Sequence, residues 1–388
     1  MVDLRFMRVA LVHVHVLEDL AGIGVKAESY DSYAGYEHRY ARLLSSHGLD
    51  ADLIVFSRGV DVVRRLKHAW GHDVVLLPIK GMRFLRQVNV FRELLRLVKE
   101  YDVVHCFSYY SNVYDVLAFC CQVAGVPLVA QSQGIWPSIP LMPRLRKMLT
   151  LRLASRLVPL NMSEARFLKD RFNIGGDRVV VVPNFIVPED HVPLMRGQAR
   201  RMIGVDDDAF VVLTVCRLVP GKGVQTLLEA VASIRDKVHG LVAMVVGEGP
   251  FRNSLERMAA ELNIVDFVRF VGYVPNQELN KFFSAADCFV FASLEESFGI
   301  VLLEAMLYGL PVVSTRTWGP SEIVVDGETG LLYKPGDSAG LADAIAQIYR
   351  NPDRSRVMGE AGRRRVLEKY TAENTYRLLR RVYDGLRS

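Results

Sequence analysis

The sequence predicts an α/β protein made of two doubly wound, parallel-sheet domains in tandem. Three observations carry that expectation. Short runs rich in Val and Ile alternate with helical patterns along the whole chain. Near-continuous β-branched strands between helices belong to parallel sheets covered on both faces. The pattern restarts near residue 210, after the aperiodic, proline-marked segment 183–193. A length of 388 residues is enough for two or three domains.

In chain order, the first half offers strands at 8–14, 52–56, 74–78, 103–107, 128–131, 157–160 and 179–182. The second half offers 211–215, 242–246, 268–271, 288–291, 311–314 and 330–332. The connection at 183–193 reads as the interdomain linker. The expected domains are residues 1–190 and 191–370, with a last helix at 371–388 crossing back onto the first. In such sheets ligands bind outside the carboxyl ends of the strands.

Composition narrows the function. Half of the residues are hydrophobic and 23% are charged, an ordinary globular balance. The net charge of +5 lies entirely in residues 1–190, which hold 24 Lys and Arg against 19 Asp and Glu. That is too mild for a nucleic-acid binder. It suits a phosphorylated substrate or an anionic membrane surface. Cys106, Cys120, Cys121, Cys216 and Cys288 have neither metal-like nor disulfide-like spacing, and read as small buried hydrophobes in a reducing compartment. The N-terminus lacks the charge pattern of a signal peptide, and no run of about 20 apolar residues occurs. A cytoplasmic protein is expected, with at most peripheral contact at the inner membrane face.

Several turns carry chemistry. Arg217 and Lys222 flank a loop with Gly221 and Gly223, between the 211–215 strand and a helix starting near Val224. Two cations at a helix start suit a phosphate or diphosphate. The loop is not a Walker motif, because Cys216 and Gly223 replace its first glycine and its magnesium-binding hydroxyl. Gly247-Glu248-Gly249 follows the next strand, with Arg252 where a dinucleotide fingerprint needs glycine. Gly22 and Gly24 trail the first strand and shape a long loop over the expected ligand cleft.

Glu296 and Glu304 bracket a glycine within an otherwise apolar stretch, 298–310. A helix apolar all round is buried, and a buried carboxylate needs a partner. His105 ends the 103–107 strand near the expected cleft, where a satisfied core histidine is the plain alternative. His13 and His15 share a strand face, but no carboxylate or cysteine is evident beside them, so no metal site is expected. The segment 144–156 carries Arg144, Arg146, Lys147, Arg152 and Arg156 among leucines and methionines. It suits either a membrane-lying helix or a surface helix with one solvated face.

Together these motifs resemble the family-4 retaining glycosyltransferases of GT-B fold. The likeness rests on Arg217-Leu218-Val219 with Lys222-Gly223, Gly247-Glu248-Gly249-Pro250, Val268 to Val274 and Ser293 to Gly299. It continues through Glu304-Ala305, Gly309 to Val313, Gly319 to Val324 and Gly330-Leu331-Leu332. The resemblance implies two Rossmann-like domains facing across a cleft, a donor-binding second domain and an acceptor-binding first domain. It also implies sugar transfer from a UDP- or GDP-linked donor to a glycan, lipid or small-molecule hydroxyl, with no metal and no further cofactor.

Arg217 and Lys222 would hold the diphosphate, Glu304 the ribose and Glu296 the transferred sugar. Ser297, Phe298, Gly299, Gly247 and Val271 would contact the donor, with Gly22 and Gly24 counted beside them. Gln133 stands where such enzymes often carry a histidine, and with His105 it would lie on the acceptor and sugar side. Glutamine can bond a hydroxyl but cannot take a proton. Two alternatives stand beside this reading: a nucleotide-sugar epimerase of related fold and, suggested by that departure, a nucleotide-sugar-binding protein without catalysis.

Overall fold

The computed structural model describes residues 7–16, 36–79, 83–134 and 141–386. Its contacts divide the chain into two units. One holds the residues up to Val182 and those from Tyr376 on, and the other runs from Pro183 to Thr375.

The first unit contains β1 (Arg8–Val16), α1 (Tyr36–Ser46), β2 (Asp50–Ser57), β3 (Arg64–Lys67), β4 (Asp73–Pro78), α2 (Arg83–Val98), β5 (Val103–Phe107), α3 (Asn112–Ala124), β6 (Leu128–Gln131), α4 (Leu141–Thr150), β7 (Arg156–Val158) and α5 (Met162–Phe172). The sheet runs β3-β4-β2-β1-β5-β6-β7. It is parallel except for β3, which pairs antiparallel with β4 at the edge. The order in which successive strands are added reverses between the parallel neighbours β1 and β5, the switch point where a doubly wound sheet opens to ligands. β5 is buried along its whole length, as its Val-Val-His-Cys-Phe sequence requires in a sheet covered on both faces.

Helix ends follow from local sequence. Ser111 caps α3 by accepting from the Val113 amide, and Gly125 closes it in the left-handed conformation. Asn161 and Asn173 do the same for α5. The segment 179–182, expected as a strand, forms only an isolated bridge from Val179 to Leu157. The sequence reading missed β3, whose Arg-Arg-Leu-Lys is exposed throughout and carries no apolar alternation. A charged edge strand of this kind resists pairing with other chains.

The second unit contains α6 (Arg196–Ile203), β8 (Phe210–Val215), α7 (Val224–Ile234), β9 (Leu241–Val246), α8 (Arg252–Glu261), β10 (Val268–Gly272), α9 (Asn280–Ala285), β11 (Cys288–Phe291), α10 (Ile300–Leu307), β12 (Val312–Thr315), α11 (Pro320–Ile323), β13 (Gly330–Tyr333), α12 (Ser338–Arg350) and α13 (Pro352–Lys369). Its sheet is parallel, in the order β10-β9-β8-β11-β12-β13. The switch point therefore falls between β8 and β11. Arg200 is fully buried beneath this sheet. Its guanidinium donates to four backbone carbonyls, at 206, 207, 209 and 285, and pairs with Asp287 at 2.6 Å.

The last helix, α14 (Ala372–Asp384), starts in the second unit and continues in the first. In the first unit it supplies Tyr383 to a buried polar chain. Gln131 donates through Nε2 to the Tyr40 hydroxyl at 2.7 Å, so its Oε1 accepts from His105 Nε2 at 2.9 Å. His105 Nδ1 is then the acceptor, and takes the Tyr383 hydroxyl at 2.7 Å. Burial pushes the His105 imidazole down from 6.5 to about 3, so it stays neutral.

The unfolded chain binds a proton near pH 6.5 that the folded chain refuses, so stability falls as pH drops through that range. Between about pH 7 and about pH 5 this one group should remove about 2 kcal/mol. Denaturant titrations at the two pH values should show that loss in wild type. It should be smaller by about that amount in His105→Gln, which has no imidazole to protonate. Equal losses in both proteins would assign the acid sensitivity elsewhere.

Candidate active site

The loops leaving β8 and β11 meet at the switch point of the second sheet. After β8 the chain turns through Cys216, Arg217 and Leu218 into a single 3-10 turn, Pro220–Lys222, and then into α7. Gly223 sits between them with φ +68°, and a Cβ there would lie 1.9 Å from the Ala292 carbonyl oxygen. Only glycine permits this contact. The Leu294 amide donates to the Gly221 carbonyl at 2.9 Å, tying the two loops together.

That junction sets the charged pair. Lys222 Nζ lies 2.8 Å from Glu296 Oε2, with both side chains partly exposed. Arg217 is exposed on the same loop, directly beyond the end of β8. Glu296 lies in the loop before α10 rather than on the helix, so the angular restriction between two residues of one helix does not apply to Glu296 and Glu304. Glu304 is half-buried on a stripe with Ile300, Val301 and Tyr308, so the all-round burial expected of this helix is corrected. Burial, and then the Glu304 charge, push the Tyr308 hydroxyl up to about 12.

The glycine turns build the rest of this edge. The Gly247 amide bonds the Gly272 carbonyl at 2.8 Å, joining the ends of β9 and β10. Val271 is half-buried one residue before Gly272. Leu218 and Glu248 share a backbone bond of 2.9 Å, which joins the β8 and β9 loops. Arg252 is engaged by two neighbouring carboxylates. It pairs with Glu248 at 2.6 Å and Glu256 at 2.8 Å. Gly319, in the turn after β12, packs against the 297–298 backbone, where a Cβ would come within 2.3 Å of Phe298 Cα. Phe298 is buried, with its ring 6.1 Å from that of Tyr370, while Ser297 and Gly299 are half-buried beside it. Two cavities, of about 360 and 540 Å³, open instead among residues at the amino ends of the strands, and none of the expected site residues lines them.

In the first unit, Gln133 is exposed just beyond β6. His105, expected on the sugar side, is instead fully buried, with both ring nitrogens hydrogen-bonded, so it touches no ligand directly. Gly22 and Gly24 lie outside the described residues. His13, at the carboxyl end of β1, has the carboxylate that the sequence did not reveal: Glu37 of α1, at 2.8 Å. The charges reinforce each other against burial, which by itself favours the neutral forms. The Glu37 charge raises the His13 imidazole, and the Glu37 carboxyl falls to about 2. Ser108, directly beyond β5, takes φ 70°, a strained conformation for a non-glycine residue.

Sequence reasoning also missed Glu164. It is buried at the start of α5, accepts from the Leu160 amide at 2.9 Å and bonds Tyr109 and Ser132. It thereby anchors the segment that presents Gln133. A third omission is a group of three buried histidines, His38, His68 and His72, contributed by α1 and the β3–β4 turn. Lys147, expected among solvated cations on α4, is instead buried and paired with Asp115 at 2.7 Å.

Comparison with known proteins follows the same division of the chain. A family model described as glycosyl transferases group 1 matches residues 195–365, and one described as glycosyltransferase family 4 matches residues 36–190. A D-inositol 3-phosphate glycosyltransferase of Acidothermus cellulolyticus is 31% identical over 376 residues, covering 88% of this chain and 82% of the relative. A GDP-mannose-dependent phosphatidylinositol monomannoside mannosyltransferase of Mycolicibacterium smegmatis is 35% identical over 185 residues, 46% of this chain and 48% of its own. Among solved structures, Anabaena HepE in complex with UDP superposes with a TM-score of 0.80 at 19% identity, over 98% of this chain and all of that one. Sucrose-phosphate synthase from Thermosynechococcus elongatus gives 0.77 at 23%, over 98% and 99%.

The junction at the switch point makes a local prediction. Gly223→Ala should destabilise the second unit by about 3 kcal/mol or more, because strain and a backbone clash act together. Gly221→Ala, two residues away, meets nothing within 4 Å. It should change stability by less than about 1 kcal/mol. Equal effects in a denaturant titration would mean that the two loops do not approach as described.

Proposed function

This chain belongs to glycosyltransferase family 4, with the fold of the GT-B enzymes, and from that premise we propose that it transfers a sugar from a nucleoside-diphosphate sugar to an acceptor hydroxyl with retention at the anomeric carbon. The observation that carries the proposal is the 2.8 Å contact between Lys222 and Glu296 at the switch point of the second sheet. It brings a phosphate-type cation and a hydroxyl-type acceptor to one spot, where such sheets bind ligands.

In this reading the second unit binds the donor and the first unit the acceptor. Lys222 leaves Glu296 for the diphosphate and is joined there by Arg217. The first amides of α10 and α7 add positive ends of helix dipoles. Glu296 is then released to accept from the transferred sugar, and Glu304 accepts from the ribose. Val271 and the Gly247 turn lie toward the base. The protein's own cations neutralise the leaving phosphate without a metal ion. The bond from the anomeric carbon to the phosphate oxygen breaks, and the acceptor oxygen bonds to the same face. The acceptor proton passes to the departing phosphate. No side-chain base is required, so Gln133 needs only to orient a hydroxyl.

The inositol-linked names of the curated relatives make a polyol phosphate or an inositol lipid the first acceptors to try. Contact with an anionic membrane rests on Leu145 and Leu149, which are 49% and 69% exposed on α4. No described helix is long and apolar enough to cross a membrane.

Three measurements test this reading. With a UDP- or GDP-sugar and an acceptor, Glu296→Ala should lower turnover by about 100-fold or more while nucleotide affinity stays within about twofold. Glu304→Ala should weaken nucleotide binding by about 10- to 100-fold, as expected for a lost charge-assisted hydrogen bond. Wild-type behaviour of both variants would remove the site assignment, and donor epimerised without acceptor would remove the transfer. In the third, the protein should sediment with anionic vesicles at low salt, and Leu145→Glu with Leu149→Glu should abolish it. A wild-type protein that stays in the supernatant ends the membrane reading.

A further inference from the structure

We propose that His38, His68 and His72 form a binding site for one zinc-class divalent cation, separate from the donor site and independent of the transfer reading. His38 lies in the first turn of α1, while His68 and His72 frame the turn between β3 and β4. That turn is fixed by backbone bonds. The His68 amide donates to the His72 carbonyl at 2.9 Å, and the Gly71 amide to the His68 carbonyl at 2.8 Å. The fold thus brings residues about 30 positions apart onto one spot.

One nitrogen from each ring lies within 4.8 Å of the others, and all three residues are buried. The rings pack with centroids 4.3, 4.4 and 5.1 Å apart. His38 Nδ1 and His72 Nε2 are 2.8 Å apart, so a proton lies between them. Tetrahedral zinc with bonds of about 2.0–2.1 Å sets its ligand nitrogens about 3.3 Å apart. Small ring rotations therefore convert the cluster into a ligand set.

The proton balance closes without acid or base. Each neutral imidazole keeps its single proton by moving it to the nitrogen away from the metal. For His72 the outer position is Nδ1, which is buried and has no hydrogen-bond partner in the structure. His68 Nδ1 accepts the Trp70 amide at 3.1 Å. If it binds the metal through Nε2, it gives up that one bond.

Ligand chemistry selects the ion. Three imidazoles without a thiolate or carboxylate among them suit zinc and its late transition-metal neighbours, and do not suit magnesium or calcium. Glu37 acts electrostatically on His38, and Asp73 on His72, so negative charge stands close to an incoming cation. Glu37 also holds His13 at the end of β1. A bound ion would tie α1 to the β3–β4 hairpin. Through Glu37, it would steady the switch-point edge of the first sheet. Three protein ligands leave a fourth position for water.

The experiment uses the untagged full chain, stripped with a chelator and dialysed against zinc. Elemental analysis should give about one zinc per chain, and the metal should raise Tm. His68→Phe with His72→Phe, which keeps the space filled, should lose about 100-fold or more in affinity and the Tm shift. His239→Gln, at an exposed site in the second unit, should lose neither. Cobalt added to the wild-type protein reads the site without any variant, through the intense visible bands of a four-coordinate nitrogen-ligated ion. Zinc well below one equivalent, the weak spectrum of six-coordinate cobalt, or undiminished binding in a folded double variant would overturn the proposal.

Discussion

The second unit depends on a close approach of two backbones. The loop after β8 and the loop after β11 touch where Gly223 faces the Ala292 carbonyl, with no room for a side chain. That contact brings Lys222 within 2.8 Å of Glu296 across 74 residues of sequence. Everything charged at this edge follows from it. If the loops were held apart by one methyl group, the lysine and the glutamate would face different volumes. The geometry is set by main-chain atoms, and the charged side chains inherit it. A rigid main-chain cradle under flexible polar groups is what a preorganised site requires.

The two units treat polar groups differently. In the first, His105, Gln131, Tyr40 and Tyr383 form a closed chain of hydrogen bonds deep in the core. Every lone pair named there is used internally, which fixes α14 against the sheet and leaves nothing for a ligand. In the second, Lys222 and Glu296 are paired but remain partly open to solvent. Breaking a half-solvated ion pair is inexpensive, because water and a new partner replace it. A group meant to exchange partners belongs at such a place, and a group meant to hold the fold belongs in the first kind.

The sequence made the fold legible because strand and helix patterns are local. β5, β6 and β11 begin and end where the apolar runs do. Two errors have local causes. β3 is a charged edge strand, so nothing in its pattern announced it. The segment at 179–182 is apolar but follows the last paired strand and finds only one bridge. The loops that carry Arg217, Lys222 and Glu296 were legible because their motifs fall at fixed places relative to strand ends.

What the sequence hid was long-range pairing. Glu37 under His13 and the three-histidine cluster join residues that are distant in the chain. His105 looked like a cleft residue because its strand ends near a carboxyl edge, yet β5 is buried on both faces and Tyr383, from α14, closes over the ring.

The position of Glu296 bears on how the carboxylates divide their work. An acid–base couple would need one carboxyl placed to give a proton and the other to take it. Here one carboxylate is already bonded to a lysine in a loop, and the other is on the half-buried face of a helix. Glu296 already accepts a hydrogen bond from Lys222, and accepting is the role it would keep toward a sugar hydroxyl. The glutamine at 133 points the same way, since it too can bond a hydroxyl but cannot carry a proton. In the proposed transfer, proton movement would fall to the phosphate that leaves. That phosphate would gain basicity as its bond to the sugar breaks, and the loop cations would hold it beside the incoming oxygen.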